Sequence, residues 1–201
     1  MITFTVLLCI AAQQWRNSRV DRPACTTHQV ERVADGTRVR KSNYRIQSYG
    51  AVDEVNSHVG MLISLMSSKS NLKDIVEDLI MIQHQLFTLG SDLANPQKKL
   101  ENYPRITERE ITFLENCIDK FDIELEPLRA FILPGGTIEA SQCHVIRTVT
   151  RRSEIKIVDL YLNDEISKSC FVYINRLSDL FFILARVCNK RQDQSDVIWK
   201  K

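Results

Sequence analysis

The residues best suited to chemistry in this chain lie in the run Arg147-Thr148-Val149-Thr150-Arg151-Arg152-Ser153-Glu154, a few residues after Phe131-Ile132-Leu133-Pro134-Gly135-Gly136. Positions 147, 151 and 154 fall at i, i+4 and i+7, so on a helix they share one face. Two guanidiniums and a carboxylate stacked in this way form a multidentate clamp suited to a polyanion such as a nucleotide phosphate. The Pro-Gly-Gly break just upstream leaves Thr137 or a neighbour to start that helix. Further on, Asn175, Asp179 and Arg186 recur at helical spacing in a segment otherwise dense in apolar residues. Polar groups there cost free energy unless they are paired or put to use. The same Arg/Glu spacing also describes a solvated helix face worth a few tenths of a kcal/mol, and spacing alone leaves both readings open.

Bulk properties narrow the classes. A chain of 201 residues is long enough for one well-packed domain and short for two. Lys+Arg 27 against Asp+Glu 25 gives a net charge of +2, too balanced to mark a nucleic-acid or membrane-surface binder. Any basic site must be local. The cysteines Cys9, Cys25, Cys117, Cys143, Cys170 and Cys188 show no CxxC spacing; a reducing compartment fits them better than a disulfide framework, and zinc is unsupported. The apolar run Ile2 to Ala12 is too short to span a bilayer and lacks a basic start, since the first positive side chain is Arg16.

The elements that must position the arginines read as amphipathic helices from residue 49 onward. Val52, Val55, Val59, Leu62 and Met66 repeat every three or four residues. Leu72, Ile75, Leu79, Ile82, Leu86, Leu89 and Leu93 form a narrow seam of the kind used in bundles, ending at Asn95-Pro96. Thr107-Glu108-Arg109-Glu110 is a capping-box pattern, with Ile106 and Ile111 as a hydrophobic staple and Leu114, Ile118 and Phe121 continuing the stripe. Two more helices are expected from about 137 to 162 and from about 164 to 187. The tail from Asn189 is polar and expected to fray, apart from Val197, Ile198 and Trp199. The fold class is all-α, a bundle of about five helices. The connections around 96–106 and 122–137 are long, and long loops in compact domains tend to be functional.

Several chemistries drop out. Glu54 and His58 stand at i, i+4, but no second such pair completes a di-iron carboxylate bundle. His84 reads as a helix-surface residue. There is no GxxxxGK[ST] and no GxGxxG, and the four histidines offer no nucleophile–base pair. What remains is phosphate handling by Arg147, Arg151, Arg152 and Lys41, backed by Asp53 and Asp179. Asp53 is suited to holding one arginine in place, in its own chain or in a neighbour. As a carboxylate near a helix N-terminus beside Glu54 it has an equally good structural reason to be there.

Four blocks in this order resemble one known family: Arg45-Ile46-Gln47-Ser48-Tyr49-Gly50-Ala51-Val52-Asp53-Glu54-Val55-Asn56-Ser57, the run at 131–136, the run at 147–154, and Tyr173-Ile174-Asn175-Arg176-Leu177-Ser178-Asp179 with Leu184-Ala185-Arg186. The chain is similar to the trimeric ATP:cob(I)alamin, or corrinoid, adenosyltransferases, over about residues 34–199. The resemblance implies a five-helix bundle that transfers the 5′-deoxyadenosyl group of ATP to the cobalt of cob(I)alamin and releases triphosphate. It implies ATP with Mg²⁺ and cobalamin as ligands, a homotrimer with nucleotide between subunits, and an adenosylcobalamin-dependent enzyme as acceptor. It implies neither nucleic-acid nor membrane binding, and a cytoplasmic or mitochondrial-matrix setting.

Carried over residue by residue, the implied catalytic set is Arg147, Arg151, Asp53 and Phe131. Arg147 pairs with Asp53 across the subunit boundary, and Phe131 presses on the corrin to keep the lower axial ligand off. The implied cofactor-binding set is Lys41, Arg151, Arg152, Ser153, Glu154, Ile155, Asn175 and Asp179, with no resident metal site. Ile155 stands where the family usually carries another arginine, which thins the clamp. The family's TxTGDxG opening is absent. Residues 1–33, with Trp15, Cys25 and His28, look unrelated and are expected to be poorly ordered, and the bundle is expected from 34 to 201. Such a start is expected to reflect an altered reading of the gene, through a shifted frame or alternative start, with impaired ATP affinity as the consequence. It also keeps open an alternative of a different class, a non-catalytic corrinoid- or nucleotide-binding trimer.

Overall fold

The computed structural model describes residues 30–32, 38–95, 104–163 and 166–200. The apolar run at 2–12 and the rest of the unrelated-looking start up to residue 29 lie outside these residues. A short antiparallel hairpin comes first, β1 (Val30–Arg32) pairing with β2 (Arg38–Arg40). Its first strand belongs to the segment set apart by sequence.

Five helices follow: α1 (Tyr44–Met66), α2 (Lys73–Ala94), α3 (Glu108–Asp122), α4 (Ile138–Asn163) and α5 (Lys168–Lys190). Helix α1 starts five residues earlier than the apolar period indicated, because Asn43 caps it by accepting from Arg45 N at 2.9 Å. Arg45 interrupts the apolar pattern yet is 2% exposed, its guanidinium donating to the carbonyl of Leu93. One charged side chain thereby ties the start of α1 to the end of α2.

The leucine seam of α2 is buried from end to end. Removing one such side chain, as in Leu86→Ala, leaves a cavity that costs about 2–5 kcal/mol. The capping box of α3 forms as expected, Glu110 accepting from Thr107 N at 2.9 Å, over a buried Ile106 and Ile111. Helix α2 lies against α1, α1 against α4, α4 against α5 and α5 against α3. Tyr173 of α5 closes the ring, donating to Gln85 of α2 at 3.0 Å. Cys117, Cys143, Cys170 and Cys188 are free and buried in this core, where a thiol behaves as a small hydrophobe.

The last helix begins about four and ends about three residues later than expected, and the tail is held outside the exempted 197–199 as well, since Arg186 and Asn189 both donate to Asp196. Leu133 N donates to Val197 O and Trp199 N to Phe131 O, both at 2.8 Å, around an Ile132–Ile198 bridge. The pairing falls on the three residues set apart from the fraying tail, but backbone pairing needs no apolar side-chain period, so the sequence did not say which segment they meet. Among the described residues no helix is long and apolar enough to cross a membrane.

Candidate functional site

The loop at 131–137 is held by Asn189, which the sequence pattern marked only as the start of a polar tail, together with Thr137 and Arg186. Gly136 sits at φ 109, in the region that favours glycine. A Cβ there would lie 2.1 Å from Asn189 Oδ1. Asn189 is 2% exposed and knits three segments together. Its Oδ1 accepts from Thr137 N at 2.9 Å, while Nδ2 donates to Gly135 O at 3.1 Å and to Asp196 at 3.0 Å. Thr137 then caps α4, its hydroxyl accepting from Ala140 N at 3.2 Å. The sequence signal for Asn189 was a polar side chain on the buried face of α5, hidden at the boundary with a polar tail.

Arg186 anchors the other side of this loop. It donates to Asp196 at 3.1 Å and to the Glu126 carbonyl at 2.7 Å. Its place at helical spacing from Asn175 reflects support for the loop and tail. The outcome is a supported platform that leaves Phe131 79% exposed, touched edge-on by Trp199 with ring centroids 6.3 Å apart. An exposed aromatic on a braced loop is a ready surface for a flat ligand.

The arginine run divides along two sides of α4. On the α1 side, Arg152 pairs with Glu54 at 2.6 Å, both about half exposed. Ser153 is fully buried, its hydroxyl donating to the carbonyls of Ala51 and Val149 at 3.0 Å. The structure therefore sets Ser153 into the α1–α4 packing, with its oxygen turned inward. Ile155 is exposed.

On the α5 side, Glu154 accepts from Asn175 at 3.0 Å, and the ring of His144 meets Phe182 edge-on. These two rungs define an antiparallel seam on which Arg147 and Arg151 occupy the intervening turns of α4, with Asp179 at their level on α5. Asp179 is exposed and paired with Arg176 at 3.0 Å, and Arg176 also reaches Glu115 of α3 at 3.3 Å. It does not pair with the clamp.

Arg147 and Arg151 have no hydrogen bond or ion pair among the described residues. Arg147 Nε is buried without a partner. Burial, then the Arg151 charge, pulls the Arg147 guanidinium below its ordinary proton affinity. Arg151 is exposed and Arg147 half-buried, so the desolvation falls on Arg147, and the two like charges side by side favour an anion between them. Asp53 is exposed on the outer face of α1 and does not meet Arg147 within one chain. Lys41 lies in the exposed turn after β2. The structure thus brings together Arg147, Arg151, Glu154 and Asn175, and leaves Asp53, Lys41 and Arg152 on neighbouring surfaces.

A helical bundle with an arginine-lined seam beside a braced, aromatic-tipped loop is an architecture for binding a polyanion and a flat partner. The family model described as cobalamin adenosyltransferase matches residues 27–188, and this chain belongs to that family. The corrinoid adenosyltransferase of Bacillus subtilis (strain 168) is 41% identical over 166 residues, covering 83% of this chain and 85% of that protein. The cobalamin adenosyltransferase of Cupriavidus metallidurans is 39% identical over 169 residues, covering 84% and 88%. Among solved structures, a variant PduO-type ATP:corrinoid adenosyltransferase from Lactobacillus reuteri, complexed with cobalamin and ATP, superposes with a TM-score of 0.83 at 35% identity. That match covers 90% of this chain and 99% of that one. The family match, like β1, reaches into the segment that sequence alone set apart.

Proposed function

We propose that this chain transfers the 5′-deoxyadenosyl group of ATP to the cobalt of a reduced corrinoid, and that Arg147 and Arg151 receive the departing triphosphate. The observation that carries the site assignment is the uncompensated pair of guanidiniums on the α4–α5 seam. In this reading Co(I) attacks C5′ of ATP, the C5′–O bond breaks, and the electron pair leaves on the triphosphate. Co(I) is itself the nucleophile, so the protein needs no base. Its work is to align the two substrates and to neutralise charge on the leaving group.

Glu154, fixed by Asn175, is suited to orienting the nucleotide through its free carboxylate oxygen. Arg152 is available to the phosphates by leaving Glu54, and the exchange costs little because exposed ion pairs are weak. Lys41 adds charge from the β2 turn. Phe131 offers an apolar face that excludes water and a lower axial ligand from the cobalt. Among the described residues no three His, Cys, Asp or Glu side chains gather to hold a metal ion. Mg²⁺ in this reading travels on the triphosphate oxygens.

The exposed Asp53 carboxylate supports completion of the site by a second copy, in a homotrimer where Asp53 of one protomer holds one N–H of its neighbour's Arg147 in place and leaves the other donors of that guanidinium to the phosphates. An adenosylcobalamin-dependent enzyme is the natural acceptor of the product. Bacterial relatives and four buried free thiols support a cytoplasmic setting.

The test is the absorption spectrum of cobalamin on mixing the chain with cob(I)alamin, ATP and Mg²⁺. Appearance of the cobalt–carbon band is expected only with ATP present. Its absence, with ATP still bound, leaves a non-catalytic binder and overturns the proposal.

A further inference from the structure

His144 is a buried polar group that this mechanism does not use. It lies one turn before Arg147 on α4, is 5% exposed, and its Nδ1 has no partner. Arg147 Nε is likewise buried and unpaired. Native interiors seldom leave such groups unsatisfied, and each orphan carries a desolvation penalty. Arg147 Nε–H is a donor and His144 Nδ1 is an acceptor when the ring proton sits on Nε2; the two stand three residues apart on one helix, where side chains are neighbours.

We propose that His144 is a positioning residue for Arg147: when an oxyanion engages the guanidinium, Arg147 Nε–H donates to His144 Nδ1. The inference rests on Arg147 serving the anion site described above. The geometry of guanidinium makes this useful. With Nε–H held by the imidazole, the Nη1–Nη2 edge is presented flat to a phosphate or carboxylate, the bidentate arrangement at which arginine excels.

The imidazole must be neutral with its proton on Nε2, and its surroundings favour that form. Burial and the Arg147 charge lower its proton affinity, while Asp196 opposes them. The groups facing His144 are Arg147 on its own helix, the uncharged ring of Phe182 on α5, and Asp196 on the tail. Asp196 is already engaged by Arg186 and Asn189.

Two substitutions separate this role from simple filling of space. His144→Asn keeps an acceptor near the Nδ1 position, and His144→Leu keeps bulk alone. On the full chain, calorimetric titration with inorganic tripolyphosphate is expected to show about tenfold weaker binding for His144→Leu, with most of the affinity retained in His144→Asn. In an Arg147→Lys background, which has no Nε–H, His144→Leu is expected to add no further loss. Equal affinities in wild type and both single variants, or an Asn variant as impaired as the Leu variant, overturn the proposal. A Leu effect that persists in the Arg147→Lys background overturns it too, as does a wild-type chain that takes up no tripolyphosphate. Because this readout needs no turnover, a missing cobalt–carbon band counts against the proposed reaction and leaves the His144 result to stand or fall separately.

Discussion

Two groups of arginines in this molecule have opposite electrostatics. At the end of α5, Arg191 donates to Asp74 at 2.6 and 3.0 Å, to Glu124 at 2.5 and 3.0 Å and to the Asn71 carbonyl at 3.0 Å. It also lies over the Phe121 ring at 5.6 Å. Its hydrogen bonds to Glu124 and Asp74 hold its proton more firmly than in water, despite burial. Arg147 and Arg151 have no counter-charge among the described residues, and burial loosens the proton on Arg147 instead. A cation whose donors are all met joins helices together. A cation left short of partners in a folded chain is poised for something that arrives later. The contrast distinguishes a fully paired arginine from two without a counter-charge, which residue type and spacing do not.

The largest expected effect lies on the unpaired side. Arg151→Ala is expected to lower the rate of cobalt–carbon bond formation by about 10²-fold, or ~3 kcal/mol by analogy with a lost oxyanion donor. Its thermal midpoint should stay close to that of wild type, checked by parallel calorimetry. Arg191→Ala should do the reverse, costing about 2 kcal/mol of stability from lost charge-assisted hydrogen bonds, read by urea unfolding, with ATP affinity unchanged.

Acid sharpens the same distinction. Hydrogen bonding to Arg191, foremost among several effects, holds the Asp74 carboxyl below its ordinary value of 3.8. A depressed carboxylate stabilises the fold above its unfolded value and loses that contribution as pH falls below it. The midpoint of wild type should therefore fall as pH drops below about 4, and fall less steeply in Arg191→Ala. An identical slope in both proteins would remove Asp74 from this account.

Trp199→Ala tests whether the tail positions Phe131. Loss of one edge-on ring contact, about 1 kcal/mol, should raise the cob(I)alamin KM several-fold and leave the ATP KM unchanged. The smallest effect is expected of Glu54→Gln, whose exposed pair with Arg152 is worth less than about 0.5 kcal/mol. A thermal shift beyond that range would place Arg152 among the structural arginines.

The helices were legible because their apolar period matched the packing: the α2 seam and the α3 capping box stand where the pattern put them. The start of α1 was not, because Arg45 is buried through a backbone carbonyl that no period records. The fate of the tail was hidden for a related reason. Asn189, Asp196 and Arg186 act through single long-range hydrogen bonds between segments far apart in the chain. Within the candidate site, spacing grouped Arg147, Arg151 and Glu154 correctly on one face. It did not separate the inward Ser153 from its exposed neighbours, which requires knowing that α1 lies against that side of α4. His144 was passed over because a histidine without a nearby nucleophile suggests no chemistry until its unpaired nitrogen is seen beside Arg147.

The central claim is that the unpaired guanidiniums bind the polyphosphate while the paired one binds the fold. Calorimetric titration of ATP into wild type, Arg151→Ala and Arg191→Ala under one set of conditions tests it most directly. ATP affinity should fall by about tenfold or more in Arg151→Ala and stay at the wild-type value in Arg191→Ala. Equal affinity in wild type and Arg151→Ala, or a loss confined to Arg191→Ala, would contradict it.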